Sequence, residues 1–194
     1  MMQLGYLQAL APTIAWVTEH LQTSPSIQQL IDDIANGVAV AVCDVSYFEI
    51  YGIGSSAWIL SSADGSSWIE GGGIVPGPLT DLNSYRCELG RLLGISVGTA
   101  CLKNLLPTTP HFILTACDNL EAVRKITADR YKVKTKWKSV NFISQITDVW
   151  SHQHSCKPSP QHVYGHQDDK RTGPLTFVEH LNVRMDRLAK SLAI

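Results

Sequence analysis

The chain has 194 residues and a mass of 21.3 kDa, is 44% hydrophobic and 17% charged, and carries a formal net charge of −1 at a mean hydropathy of +0.00. This composition excludes disorder, collagen and coiled coil and fits one globular domain with at most a short appendage. No apolar run reaches the ~20 residues of a membrane span, no positive region opens the chain, and five cysteines, an odd count, sit largely in apolar runs as reduced thiols do, so an intracellular home in cytoplasm or nucleus is expected.

Residues 1–36 read as helical, first from Leu4, Leu7, Ile14, Val17 and Leu21 at helical spacing, then from Ser24-Pro25 as N-cap and first-turn proline for Ser26–Ala35. Asn36-Gly37 ends that stretch, and the expected domain seam lies there: a helical extension or linker over 1–36 and the main domain over 37–194. Val38–Cys43 is a continuous apolar run, as in a strand buried on both faces, and it stops at Asp44. Ser56–Ser61 and Ser67–Ile74 are two further strands joined around Ala63-Asp64-Gly65, so the first three strands form an antiparallel meander.

Ser84 is placed to cap a long helix whose apolar positions Leu89, Leu92, Leu93, Val97, Ala100 and Cys101 follow the 3.6 period. Gly90, Gly94 and Gly98 fall four apart on it. Each costs about 1 kcal/mol against alanine, which implies another backbone approaching closely. His111–Cys117 is the next buried strand, ending at Asp118. Helices over Asn119–Ala128 and Val140–His152, a short strand over His162–Tyr164 and a last amphipathic helix over Pro174–Leu192 follow. The order β-β-β-α-β-α-α-β-α predicts an α/β domain with one mixed five-stranded sheet and helices on both faces. Strands 1 to 3 are antiparallel in it, and strands 1, 4 and 5 are parallel neighbours.

Asp44 and Asp118 each follow a buried strand, so parallel pairing puts both carboxylates at the carboxyl edge of the sheet, where open α/β sheets bind ligands. Two such charges together call for a cation or a proton between them. Glu88 borders the buried stripe of the long helix, and Asp186 stands in the last helix. Each acid alone also fits a structural role. Asp118 with Glu121 makes a capping box, Asp44 ends a strand, Glu88 suits a helix dipole, and Asp186 can pair with Arg187 or Lys190.

Five segments in order resemble the ribonuclease H domain, especially the form carried in retrotransposon polyproteins. They are Asp44-Val45-Ser46 after the first strand, Ser84-Tyr85-Arg86-Cys87-Glu88-Leu89 opening the long helix, and Thr115-Ala116-Cys117-Asp118-Asn119 after the fourth strand, with Val163-Tyr164-Gly165-His166 and Leu181 to Lys190 completing the set. The resemblance spans 38–194 and implies a ribonuclease H-like fold and an endonuclease that hydrolyses the RNA strand of RNA/DNA hybrids. It also implies two Mg²⁺ or Mn²⁺ ions about 3.5 to 4 Å apart, held by the catalytic acids Asp44, Glu88, Asp118 and Asp186, and it makes His166 a mobile proton carrier near the reacting phosphate. This chain departs from the family in having Val45 where glycine is common, Ser84 and Tyr85 where asparagines are common, and a longer stretch from His166 to Asp186 in which Asp168 and Asp169 read as solvated charges.

Charge is split along the chain: residues 1–85 hold 8 acids and no Lys or Arg, whereas 86–194 hold 16 bases against 9 acids. Seven bases and one acid lie between Arg124 and Lys138, and an extended segment would present Lys132, Lys134, Lys136 and Lys138 on one side for phosphates. Arg86, Arg91 and Lys103 are the alternative cations for a duplex. Ser46, Ser84 and Tyr85 are the candidates for contacts to the 2′-hydroxyl. The expected partners are an RNA/DNA hybrid duplex and, in a polyprotein, a reverse transcriptase domain upstream, with the chain itself a monomer. The spacing of His152, His154, Cys156 and His162 matches no paired zinc motif. Two other classes share the fold: a catalytically weak or inactive binding or tethering module, and a transposase or integrase core, which normally lacks the Tyr-Gly-His loop.

Overall fold

The computed structural model describes residues 12–102, 105–106, 111–117, 119–127, 134, 138–151, 156–162 and 173–194. The strands are β1 (Gln22–Thr23), β2 (Val40–Phe48), β3 (Ile53–Ser61), β4 (Trp68–Ile74), β5 (His111–Cys117) and β6 (Cys156–His162). The helices are α1 (Gln28–Ala35), α2 (Ser84–Leu102), α3 (Leu120–Ile126), α4 (Val140–Ser151) and α5 (Phe177–Leu192). One mixed sheet runs β1-β4-β3-β2-β5-β6. The β2–β3–β4 meander is antiparallel, and β2, β5 and β6 are parallel neighbours.

Helices cover both faces, as the element order predicts. Alternation along β2 sends Ala41 and Cys43 into a core with α1 and α2, built on Leu30, Ile34, Trp58, Leu60 and Ile95. It sends Val42 to the opposite face, where Ala57 and Ile59 meet Leu181, Met185 and Ala189 of α5. The glycine ridge of α2 receives a side chain and not a backbone: a methyl group on Gly94 or Gly98 would overlap the Trp58 indole. That indole is fully buried and donates from Nε1 to Val17 O at 2.8 Å.

Several boundaries differ from expectation, each for a local reason. The first long strand does not stop at Asp44 but runs on to Phe48, because β3 pairs with it throughout, Asp44 opposite Ala57 and Phe48 opposite Ile53. The start of α2 is capped by Asn83, whose Oδ1 accepts from Arg86 N at 2.9 Å, and not by Ser84. The last strand is Cys156–His162 and not His162–Tyr164, and it includes Pro158 and Pro160. Proline is tolerated there because β6 is an edge strand among the described residues, paired on one side with β5.

The described part of the N-terminal stretch is less helical than its spacing suggests. Pro12–Thr18 is a 3₁₀ turn and Gln22–Thr23 pairs with β4. Ser24 Oγ accepts from Trp68 N at 2.9 Å instead of capping a helix. Trp16 and Val17 are buried in the main core, so residues 12–23 close the sheet's β4 side. The last helix starts at Phe177, after Pro174, with a Thr176–Glu179 capping box. Among the described residues no helix is long and apolar enough to cross a membrane.

Candidate active site

The sheet offers an opening where two parallel strands part. The β2–β5 pairing comprises Val40↔Leu114 and Ala41↔Thr115. Beyond it the Cys43 carbonyl accepts from Arg91 Nη1 of α2 at 3.0 Å. Arg91 Nη2 reaches Cys117 Sγ, the last residue of β5, at 3.4 Å. One guanidinium therefore bridges the middle of β2 and the carboxyl end of β5, beyond the point where their pairing ends.

Two of the expected acids converge on that guanidinium. Glu88, one turn earlier on α2, forms an ion pair with Arg91 Nη2, and Asp44 Oδ1 lies 3.9 Å from Nη1. Arg91 is 3% exposed, Glu88 11% and Asp44 22%, so the cation is the deepest member and Asp44 the most open to solvent. From the other face of the sheet, Asn182 Nδ2 of α5 donates to Asp44 Oδ2 at 3.3 Å. Asp186 follows Asn182 by one helical turn and pairs with Lys190 Nζ at 2.8 Å, as its spacing allowed.

Asp118 and His166 lie outside the described residues, as do Lys132, Lys136, Lys103, Asp168 and Asp169. The capping role weighed for Asp118 is filled by its neighbour: Asn119 Oδ1 accepts from Ala122 N at 2.9 Å and caps α3. Among the described residues no group of three or more His, Cys, Asp or Glu is gathered closely enough to hold a metal ion.

The expected duplex contacts divide. Lys134 and Lys138 are exposed, and so is Ser84 at the start of α2. Ser46 is buried, and Tyr85 is half-buried with its hydroxyl enclosed, burial and then Glu121 pushing that phenol up to about 12. Arg86 is not a surface cation. Its Nε donates to Pro76 O at 2.8 Å, Nη1 to Asn141 Oδ1 at 3.1 Å, and its guanidinium stacks 4.1 Å from the Phe142 ring centre. Arg91, weighed for the duplex, belongs instead to the acid pair. Burial raises both neighbouring thiols, Cys43 well above its ordinary value, while Arg91 pulls each the other way.

Sequence reasoning passed over Asn182 and misplaced Arg91. Asn182 carries a readable signal, lying four residues before Asp186 on the same helix face. Arg91 carries one too: a lone charge among buried apolar and glycine positions, three residues after Glu88, has to find a partner on its own helix face or across the sheet.

No family model and no curated protein sequence matches the chain. Among solved structures it is similar to the N-terminal ribonuclease H domain of a Mycobacterium tuberculosis protein, solved as a fusion with maltose-binding protein, at 16% identity and TM-score 0.48 over 80% of this chain and 92% of that one. RNase H1 of the halophilic archaeon Halobacterium salinarum is similar at 16% identity and TM-score 0.48, over 79% and 96%. A foamy viral protease-reverse transcriptase in complex with an RNA/DNA hybrid is similar at 13% identity and TM-score 0.53, covering 88% of this chain, which spans 21% of that one. At these identities the likeness shows the fold alone, an α/β architecture of one mixed sheet with helices on both faces, shared with part of the viral protein.

Proposed function

We propose that the chain is a metal-dependent endoribonuclease that hydrolyses the RNA strand of RNA/DNA hybrids, of the kind carried beside a reverse transcriptase in retrotransposon polyproteins. The observation that carries the reading is the meeting of Asp44 from β2, Glu88 from α2 and Asn182 from α5, one helical turn before Asp186, around Arg91 and beside the end of β5. These are segments far apart in sequence, and nothing in the packing of a core calls for two carboxylates there.

The donors suit the expected ions. Carboxylate oxygens are the hard ligands that Mg²⁺ and Mn²⁺ take, and Asp44 and Glu88 already share one cation, the Arg91 guanidinium. In this reading Asp44, Glu88, Asp118 and Asp186 hold two ions. When bound, these supply an activated water and offset charge at the attacking and leaving oxygens. Asn182 orients Asp44, and Arg91 fixes the Glu88 carboxylate. His166 takes up and returns a proton near neutral pH. Lys134 and Lys138, with Lys132 and Lys136, hold duplex phosphates, while the exposed Ser84 meets the 2′-hydroxyl side.

A labelled RNA/DNA hybrid incubated with Mg²⁺ is expected to lose its RNA strand, leaving 3′-hydroxyl and 5′-phosphate ends, and to survive in EDTA. Equal cleavage in EDTA, or cleavage of the DNA strand alone, overturns the proposal. One observation favours a second reading, a hybrid-binding module of weak or no activity: both Glu88 and Asp186 are paired to a cation of the chain's own. Hybrid binding without cleavage in Mg²⁺ and in Mn²⁺ would select it.

A further inference from the structure

Arg91 is the charge in this site that the reaction scheme does not require. Its guanidinium is held on four sides, by Glu88, by Asp44 at 3.9 Å, by the Cys43 carbonyl and by Cys117 Sγ. An arginine 3% exposed cannot shed its charge, so it is fixed where the two carboxylates face one another. Its planar fork suits that place, because one nitrogen serves β2 and the other serves both β5 and Glu88.

We propose that Arg91 is a built-in counter-cation of the acid pair. It keeps Asp44 and Glu88 close together without a metal, and a divalent ion entering the site competes with it for the Glu88 carboxylate. The inference rests on the proposed metal-dependent reading and deepens it. Arg91 is a positioning residue that acts through Glu88 and Asp44, and it sets how much divalent ion the site needs. Coulomb repulsion gives the direction: a fixed positive charge within about 4 Å of the carboxylates opposes a dication on the same oxygens, and even at an effective dielectric near 20 this exceeds the ~1.4 kcal/mol of a tenfold change in binding.

The test uses the full chain, MnCl₂ alone as titrant, and Arg91→Met, which keeps an unbranched apolar stem and loses the charge. Calorimetric titration is expected to show Mn²⁺ bound at least about tenfold more tightly by the variant than by the wild type. The variant should also melt lower than wild type in EDTA, since Glu88 and Asp44 lose the cation they share, and recover most of the difference in saturating Mn²⁺. If wild type and variant bind Mn²⁺ equally, Arg91 is only a strand clamp and the inference fails while the metal reading stands. If neither binds Mn²⁺, the metal reading itself fails and takes the inference with it. A measurement on the wild type keeps the test decisive should Arg91→Met not fold: the Arg91 guanidinium Nε–H resonance is expected to shift in step with a Mg²⁺ titration. A resonance that stays still while Mg²⁺ binds elsewhere in the spectrum overturns the competition.

Discussion

Asn182 Nδ2 donates to Asp44 Oδ2 at 3.3 Å and so ties the middle of β2 to the last helix across 138 positions of sequence. The bond crosses from one layer to the next, beside Met185 and Leu181, which anchor the same helix face in the core. Asp44 is thereby oriented from both sides of the sheet, by Arg91 on one and by Asn182 on the other. Asn182→Ala is expected to cost about 1 kcal/mol of stability or less, the net worth of one partly exposed hydrogen bond. It should lower turnover on the hybrid with little change in hybrid binding, because the bond orients an acid and holds no duplex. Steady-state kinetics beside a binding titration separates the two: a loss confined to binding would place Asn182 in the duplex surface.

Glu88→Gln and Asp44→Asn are expected to abolish cleavage alike and to differ in stability. Glu88 is the close partner of a buried guanidinium, and removing that charge deprives Arg91 of its nearest carboxylate, a loss of about 3 kcal/mol for a pair of this burial. Asp44 is more open and stands 3.9 Å from the guanidinium, so its amide is expected to be near neutral. Denaturant titrations in EDTA check the order. A Glu88→Gln protein as stable as wild type would mean that the Arg91 pair contributes no net stability.

The meander, the parallel crossover and the last helix were legible because each rests on a short-range pattern: the valine run before Asp44, the Asp64-Gly65 turn, and the apolar stripe that places Leu181, Met185 and Ala189 on one face. What was not legible depends on partners distant in sequence. Nothing near Trp58 signals that its indole fills the groove left by Gly94 and Gly98, and nothing near Val17 signals that its carbonyl would accept from that indole. The proline-bearing β6 reads locally as a loop, and only its edge position makes it a strand. Arg91 is a mixed case: its pairing with Glu88, three residues away, was legible locally, whereas its bonds to Cys43 and Cys117 depend on strands distant in sequence.

Trp16 tests whether the N-terminal stretch belongs to the core. It is 7% exposed and stacks on Phe142 with ring centroids 5.8 Å apart, next to the glycines of β4 on which the 3₁₀ turn rests. Trp16→Ala is expected to cost about 3 kcal/mol, as for other large buried aromatics. Trp16→Phe should cost much less, because the indole N–H has no hydrogen-bond partner among the described residues. Equal stability of the alanine variant in a denaturant melt would make residues 12–18 a dispensable appendage.

Asp64 in the β3–β4 turn gives a pH signature away from the site. Its carboxylate accepts from Ser62 Oγ at 2.6 Å and from Ser66 N and Oγ at 3.0 and 2.8 Å, and these bonds, that of Ser62 foremost, pull it down from 3.8 to about 2. A carboxyl lowered in the folded state stabilises above its ordinary value and loses that contribution as pH falls toward the folded one. The gap in melting temperature between wild type and Asp64→Asn is therefore expected to be open at pH 6 and to close between about 4 and 2. A gap independent of pH would mean that the turn is held by backbone geometry alone.

Docking and chemistry are separable if the lysine run and His166 have the roles proposed for them. Lys134 and Lys138 are exposed, in the half of the chain that carries the excess of bases. Replacing Lys132, Lys134, Lys136 and Lys138 together by Ser removes phosphate partners that carry no sequence information. Hybrid binding is expected to weaken equally for every sequence, and its dependence on log salt to become shallower by about 0.7 to 0.9 for each phosphate no longer neutralised. The rate at saturating hybrid should change little. His166→Ala is expected to do the reverse and lower turnover at unchanged affinity, because a proton carrier acts on the reacting state and not on the docked duplex. Binding and single-turnover rates at two salt concentrations distinguish the roles. With Arg86 committed to Pro76, Asn141 and Phe142, and Arg91 to the acid pair, an unchanged salt slope in the lysine variant would leave neither of them to hold the duplex, and would move that role to another basic segment of the C-terminal half.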